Sequence, residues 1–366
     1  MLRGDALTVA GQLRGETLQI PALLKTFSGW PRGANKHLND LRDRVSTFIQ
    51  KYTACPKKSQ ALQKADFGLL IALWYPEALW SELETMAAFS VWIFAWDDEV
   101  DEGDTITASQ EDFVHAYSQQ SLQYIRKELN LPENRETIQD NFANIIETKA
   151  QLKMALFGVV GNKLRTAMDL VQRERFYREL EHYIQSVEEE HIFRLRGAMP
   201  SIEQYLQIRS GSVGCRPFLA LAEFMLRTKI PEQVMDSVRM QSLWVETVNI
   251  CFMLNDVYSV QKEMAQHSLL NIIPVLSWND TSGEGGLGKV TRDFMVLLES
   301  SRTRFEQAAE SLQQEPVRQG VLGSDVEAFI QGCRYFTTGA LLWSLESPRY
   351  NMAKYLQEDE SLCILL

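Results

Sequence analysis

Apolar positions along this chain recur at spacings of three and four, the period of a helix with one buried face. In residues 37–53 they place Leu38, Leu41, Val45, Phe48, Ile49 and Tyr52 on one stripe. Similar stripes run near 60–74, 80–101, 110–129, 137–158, 162–193 and 202–209. Others follow near 213–228, 232–265, 290–314, 322–346 and 350–357. Breakers fall between them: Pro56, Pro76, Pro132, Gly197 with Pro200, Pro231, Gly320 and Pro348. Alternating strands flanked by hairpin turns are missing, and no repeat of fixed period is visible. The pattern predicts an all-α fold. We read 1–366 as one domain, with a partly irregular segment at 1–35 and a tail at 358–366.

Two stretches, 83–96 and 243–254, are apolar almost all round. Helices of that kind belong in the middle of a large bundle. The polar residues that end them therefore stand at the interior or mouth of the bundle, where helical proteins build metal and cofactor sites.

Charge narrows the field. Lys and Arg number 37 against 48 Asp and Glu, a net charge of −11. That balance argues against nucleic-acid binding, which needs a basic face. The five cysteines, Cys55, Cys215, Cys251, Cys333 and Cys363, show no C-x-x-C spacing and read as reduced thiols of a cytoplasmic protein. The first twenty residues lack an uninterrupted apolar core, so no secretory signal is expected. No run of about 18 apolar residues exists to span a membrane. Cys363-Ile364-Leu365-Leu366 fits a C-a-a-X prenylation box, but the preceding Gln357-Glu358-Asp359-Glu360 is acidic where a basic second signal belongs. Residues 283–289 match G-x-x-x-x-G-K, yet Val290 stands where a phosphate loop needs Ser or Thr, so a surface loop is expected.

Two constellations carry chemistry. The first ends the apolar run 83–96: Asp97, Asp98, Glu99, Asp101, Glu102 and Asp104 crowd one helix end. Asp97 and Asp98 neighbour Asp101 at helical spacing, and carboxylates at a helix C-terminus oppose its dipole. A hard cation such as Mg²⁺ would offset that repulsion. On spacing alone, a solvated acidic helix end is an equal reading. The second is Asn255, Ser259 and Glu263, an amide, a hydroxyl and a carboxylate at every fourth position. They span roughly 12 Å of one helix face and are again hard donors. Ordinary polar decoration of an emerging helix stays open as the alternative.

Asp97-Asp98-x-x-Asp101 and Asn255-Asp256-x-x-Ser259-x-x-Lys262-Glu263 resemble the two metal motifs of class I terpene synthases, of the fungal and bacterial single-domain type. Arg209, 46 residues before Asn255, is similar to the family's diphosphate-sensing arginine, and Arg349-Tyr350 to its late Arg-Tyr pair. The four elements, in order, span about two thirds of the chain. The resemblance implies a helical bundle around a deep apolar cavity, three Mg²⁺ ions and a linear prenyl diphosphate substrate. It assigns metal binding to Asp97, Asp98, Asp101, Asn255, Ser259 and Glu263. It assigns diphosphate binding to Arg209, Lys262, Arg349 and Tyr350. The cavity wall would include Phe89, Trp92, Ile93, Phe94, Phe252, Leu254, Phe336 and Trp343, although each aromatic also reads as plain core. At Ser212-Val213-Gly214 the family has a helix break beside the substrate. Its bacterial members often carry an acidic linker after the sensor arginine, where this chain has Ser212.

The expected activity is cyclisation of farnesyl diphosphate to a sesquiterpene, with geranylgeranyl diphosphate the runner-up. A chain-elongating synthase would carry a second D-D-x-x-D, which is absent, and a non-catalytic helical interaction protein would not keep both ligand sets. A homodimer stays open as a partner.

Overall fold

A computed structural model describes residues 4–53, 55–100, 108–132, 148–282, 285–314 and 321–366. The helices are α1 (Gly4–Leu13), α2 (Leu23–Thr26), α3 (Leu38–Tyr52), α4 (Pro56–Lys64), α5 (Phe67–Trp74), α6 (Trp80–Val100) and α7 (Ala108–Glu128). They continue as α8 (Thr148–Ala167), α9 (Leu170–Arg196), α10 (Ile202–Ser212), α11 (Cys215–Ala220), α12 (Ala222–Leu226) and α13 (Glu232–Met235). The last four are α14 (Val238–Ala265), α15 (Ile272–Trp278), α16 (Leu287–Gln313) and α17 (Val321–Glu346). The helical expectation is met. α6 and α14, the two stretches apolar all round, are central: α6 packs on α8, α3 and α5, and α14 on α16, α17, α10 and α11. Trp92, Trp96, Trp244, Phe89 and Phe252 are fully buried there.

Several boundaries differ from the periodic reading. The stripe 60–74 is two helices, because Asp66 sits in the left-handed region at φ 49° and caps α5 through Leu69 N–H at 3.1 Å. The stripe 213–228 breaks between α11 and α12, and 232–265 breaks at Ser237, whose hydroxyl caps α14. The boundary expected near 158–162 lies instead at Asp169, which with Gln172 forms a reciprocal capping box. Helix α8 runs through Gly161 because α7 lies against it: a Cβ there would stand 2.8 Å from the Glu128 carbonyl oxygen. The stripe 350–357 is a single 3₁₀ turn, Met352–Lys354. The start of the 137–158 stripe lies outside the described residues.

The partly irregular N-terminal segment and the C-terminal tail meet in one small sheet. α1 precedes β1 (Thr17–Ile20), which pairs antiparallel with β2 (Leu362–Leu365), Leu18 facing Ile364. Four-residue strands this far apart in sequence leave no hairpin signal. Leu18, Ile20, Leu362 and Ile364 point inward. The C-a-a-X tetrapeptide is therefore built into a ladder, with Leu366 N–H donating to the Glu16 carbonyl. The glycine-rich segment joins α15 to α16, and Lys289 pairs with Asp280 and Asp293, an arrangement of surface charges.

Candidate functional site

The C-terminal end of α6 presents Asp97 and Asp98, both half-buried. Asp101 lies outside the described residues. Asp97 Oδ1 accepts from the Tyr183 hydroxyl of α9 at 3.0 Å. Glu99 leaves the acidic group to pair with Lys58 at 3.0 Å and with Lys153. Burial opposes its charge, but the two ammonium groups hold its carboxyl below the ordinary range. One member of the acidic run is thus a structural ion pair, which spacing did not reveal.

Helix α14 carries Asn255, Ser259, Lys262 and Glu263 at the point where it leaves the apolar core. Asn255 Oδ1 accepts from Arg209 Nη2 at 2.9 Å, and its Nδ2 donates to the Tyr350 hydroxyl at 2.8 Å. Ser259 donates to the Asp256 carbonyl at 3.3 Å. Glu263 Oε2 accepts from Asn271 Nδ2 at 2.9 Å.

Asp256, next to Asn255, turns the other way into the core and is fully buried. It accepts from Arg209 Nε at 3.0 Å, the Ile272 amide at 3.0 Å and the Tyr205 hydroxyl. Burial pushes its carboxyl up to about 6, although Arg209 pulls it down; Glu263 adds to the rise, and Tyr205 and the Ile272 amide oppose it. Burial also works against the Arg209 charge, yet the Asp256 and Glu190 carboxylates keep the guanidinium well above its ordinary range. Sequence reading missed Tyr183 and Glu190 of α9, Tyr205 of α10 and Asn271 at the start of α15, which share no spacing with the motifs.

Arg349 and Tyr350 follow α17 and connect the two constellations. Arg349 Nε donates to the Tyr350 hydroxyl at 3.2 Å, and its guanidinium lies 5.2 Å above the Phe94 ring. Burial disfavours its charge, but Tyr350, Asp98 and Asp97 raise its pKa above the ordinary value. The pair therefore senses the first carboxylates while it hydrogen-bonds the second motif.

Most of the candidate wall residues are buried in the core. Phe89 meets Trp92 at 5.9 Å and Phe218 at 4.8 Å, and Phe336 stacks on Trp74 at 4.0 Å. Phe252 and Leu254 are buried on α14, with Phe252 edge-on to Tyr205 at 6.4 Å. Trp343 ties its indole N–H to the Ala65 carbonyl at 2.6 Å and meets Tyr350 at 5.5 Å. Ile93 lies beside Gly214, which with Ser212 and Val213 ends α10. Two open surface hollows, of about 450 and 300 Å³, lie elsewhere, along Val296–Gln307 on α16 and between Leu312 and Glu327.

The donors suit a hard dication. Asn255 offers an amide oxygen, Ser259 a hydroxyl and Glu263 a second carboxylate oxygen, while the Asp97 and Asp98 carboxylates favour the charge of Arg349, whose neighbour Tyr350 bonds Asn255. Among the described residues no three of His, Cys, Asp and Glu gather as a metal site. Two of the three donors on α14 are neutral, and Asp101 is not described.

Residues 88–284 match the family model described as terpene synthase family 2, C-terminal metal binding. The chain is 27% identical over 356 residues to the sesquiterpene cyclase hepA of Aspergillus oryzae, covering 95% of this chain and 93% of that one. It is 25% identical over 352 residues to the terpene cyclase braA of Annulohypoxylon truncatum, covering 92% and 86%. Among solved structures, the linalool/nerolidol synthase of Streptomyces clavuligerus superposes with a TM-score of 0.69 at 19% identity, covering 87% of this chain and 98% of that one.

Proposed function

The chain belongs to the terpene synthase family, and from that premise we propose that it cyclises farnesyl diphosphate to a sesquiterpene hydrocarbon or alcohol, releasing inorganic diphosphate. The observation that carries the reading is the Arg349–Tyr350 pair, which bonds Asn255 and lies in the field of Asp97 and Asp98. Substrate length is supported by the similarity to hepA, which is named a sesquiterpene cyclase.

Asp97, Asp98, Asn255, Ser259 and Glu263 would hold Mg²⁺, with Asp101 as a further ligand by resemblance. Bound there, three such ions would neutralise the diphosphate and improve it as a leaving group. Arg209 and Arg349 offer forked donors to diphosphate oxygens, Lys262 a point charge and Tyr350 a hydroxyl. As the carbon–oxygen bond breaks, its electron pair leaves with the diphosphate and an allylic cation remains. Attack by a distal double bond closes a ring, and loss of a proton or capture of water ends the sequence. Phe89, Trp92, Ile93, Phe94, Phe252, Phe336 and Trp343 would exclude water, and the ring faces would favour the migrating charge.

We read 1–366 as one domain because the apolar core runs from Ala6 to Ile364. A cytoplasmic location is the accompanying proposal, supported by five cysteines that form no disulfide. A thermal melt tests the site. Mg²⁺ with inorganic diphosphate at a hundredfold excess over Kd should stabilise the fold by about 2.7 kcal/mol. No shift at millimolar concentrations of both would refute it.

A further inference from the structure

The residue that follows Arg209 by one helical turn is Ser212, a neutral side chain at the end of α10. The chain then breaks: Gly214 has φ 75°, and α11 begins at Cys215. The break is pressed against α9. A Cβ on Gly211 would stand 2.0 Å from Ser186 Oγ, and one on Gly214 would stand 3.4 Å from the Tyr183 ring. A side chain reaching this junction from α9 can touch both the arginine and the break.

Glu190 does so. Its Oε2 lies 3.7 Å from Arg209 Nη1 and accepts the Ser212 hydroxyl. Val213 N–H meanwhile donates to the Arg209 carbonyl at 3.1 Å. One carboxylate oxygen thus joins the guanidinium to the last turn before the break. Its side chain is 19% exposed and that of Arg209 12%, so water weakens the contact only in part.

We propose that Glu190 is a positioning residue that couples Arg209 to the Ser212–Gly214 break, supplying from α9 the carboxylate that position 212 lacks. The proposal rests on the reading of Arg209 as a diphosphate ligand. When the guanidinium turns toward diphosphate oxygens, the shared carboxylate carries that displacement to Ser212, and the backbone beyond it moves against the apolar wall at Ile93.

The test relocates the charge. Glu190→Gln keeps the shape and removes the charge. It should lower kcat about tenfold, the worth of one charge-assisted hydrogen bond, while KM stays within about twofold. Ser212→Ala should lower kcat in the same direction. Ser212 and Arg209 are three apart on one helix, so an aspartate at 212 reaches the guanidinium. The double variant Glu190→Gln/Ser212→Asp should recover most of the lost kcat. Circular dichroism melts establish that each variant is folded; if Glu190→Gln is not, Glu190→Asp and Ser212→Ala decide. Wild-type kcat in folded Glu190→Gln and Ser212→Ala overturns the proposal, as does a folded double variant no faster than Glu190→Gln. A wild-type enzyme that releases no diphosphate from any prenyl diphosphate overturns the functional reading itself.

Discussion

Asn255 donates from its amide nitrogen to the Tyr350 hydroxyl at 2.8 Å, across 95 residues of sequence. The carbonyl oxygen of the same side chain accepts from Arg209 at 2.9 Å. One amide therefore joins Arg209 on α10, the donor row of α14 and the pair that follows α17. Any ligand at that amide is felt by all three.

Tyr350→Phe removes only the oxygen that Asn255 and Arg349 address. Hydrogen bonds of this kind contribute about 1–3 kcal/mol, so kcat/KM should fall about tenfold or more. The circular dichroism spectrum should stay the same. Asn255→Ala and Glu263→Gln should abolish product formation. Steady-state diphosphate release measures all three, and retained activity in both donor variants would refute the metal assignment.

Trp343 combines an anchoring hydrogen bond with a place in the proposed wall. Trp343→Phe leaves the Ala65 carbonyl without its indole partner, a loss of about 1–3 kcal/mol at a buried site. The urea midpoint should drop, and the product mixture should shift with it, because Trp343 also belongs to the proposed wall beside Tyr350. Phe94→Leu, under Arg349, should give a smaller change in midpoint and a changed product mixture. Product profiles by gas chromatography alongside the melts check both.

Asp169 provides a pH test away from the site. It pairs with Lys229 and caps α9, and the Lys229 hydrogen bond and the Gln172 amide hold its carboxyl below the ordinary value against partial desolvation. A depressed folded pKa contributes stability above the unfolded pKa and loses it as pH falls through the folded one. Asp169→Ala should cost ~1 kcal/mol at neutral pH, the usual worth of an N-cap. The difference between variant and wild type should shrink as pH falls below the ordinary carboxylate range. Urea midpoints across that range measure it, and a constant difference would assign the cost to packing.

The helical fold was legible in the sequence, because helices are periodic. Asn255, Ser259 and Glu263 recur every four residues, and the structure sets them on one exit of α14. What stayed hidden is tertiary. Glu190, Tyr205 and Tyr183 reach the site from α9 and α10, and their roles follow from packing that no local spacing encodes. β1 and β2 each have four residues and pair from opposite ends of the chain, so neither carries a turn signal. Asp169 was different: Asp169-x-x-Gln172 is a capping box that local spacing does encode, and the periodic reading passed over it.

The central claim is that this chain turns a fifteen-carbon prenyl diphosphate into a ring. The direct measurement is incubation with the ten-, fifteen- and twenty-carbon diphosphates and Mg²⁺, followed by gas chromatography–mass spectrometry and a diphosphate assay. The account predicts a cyclic fifteen-carbon product from farnesyl diphosphate, with stoichiometric diphosphate and no turnover after chelation of the metal. Preference for the twenty-carbon substrate would correct the substrate assignment, and no terpene from any of the three would contradict the account.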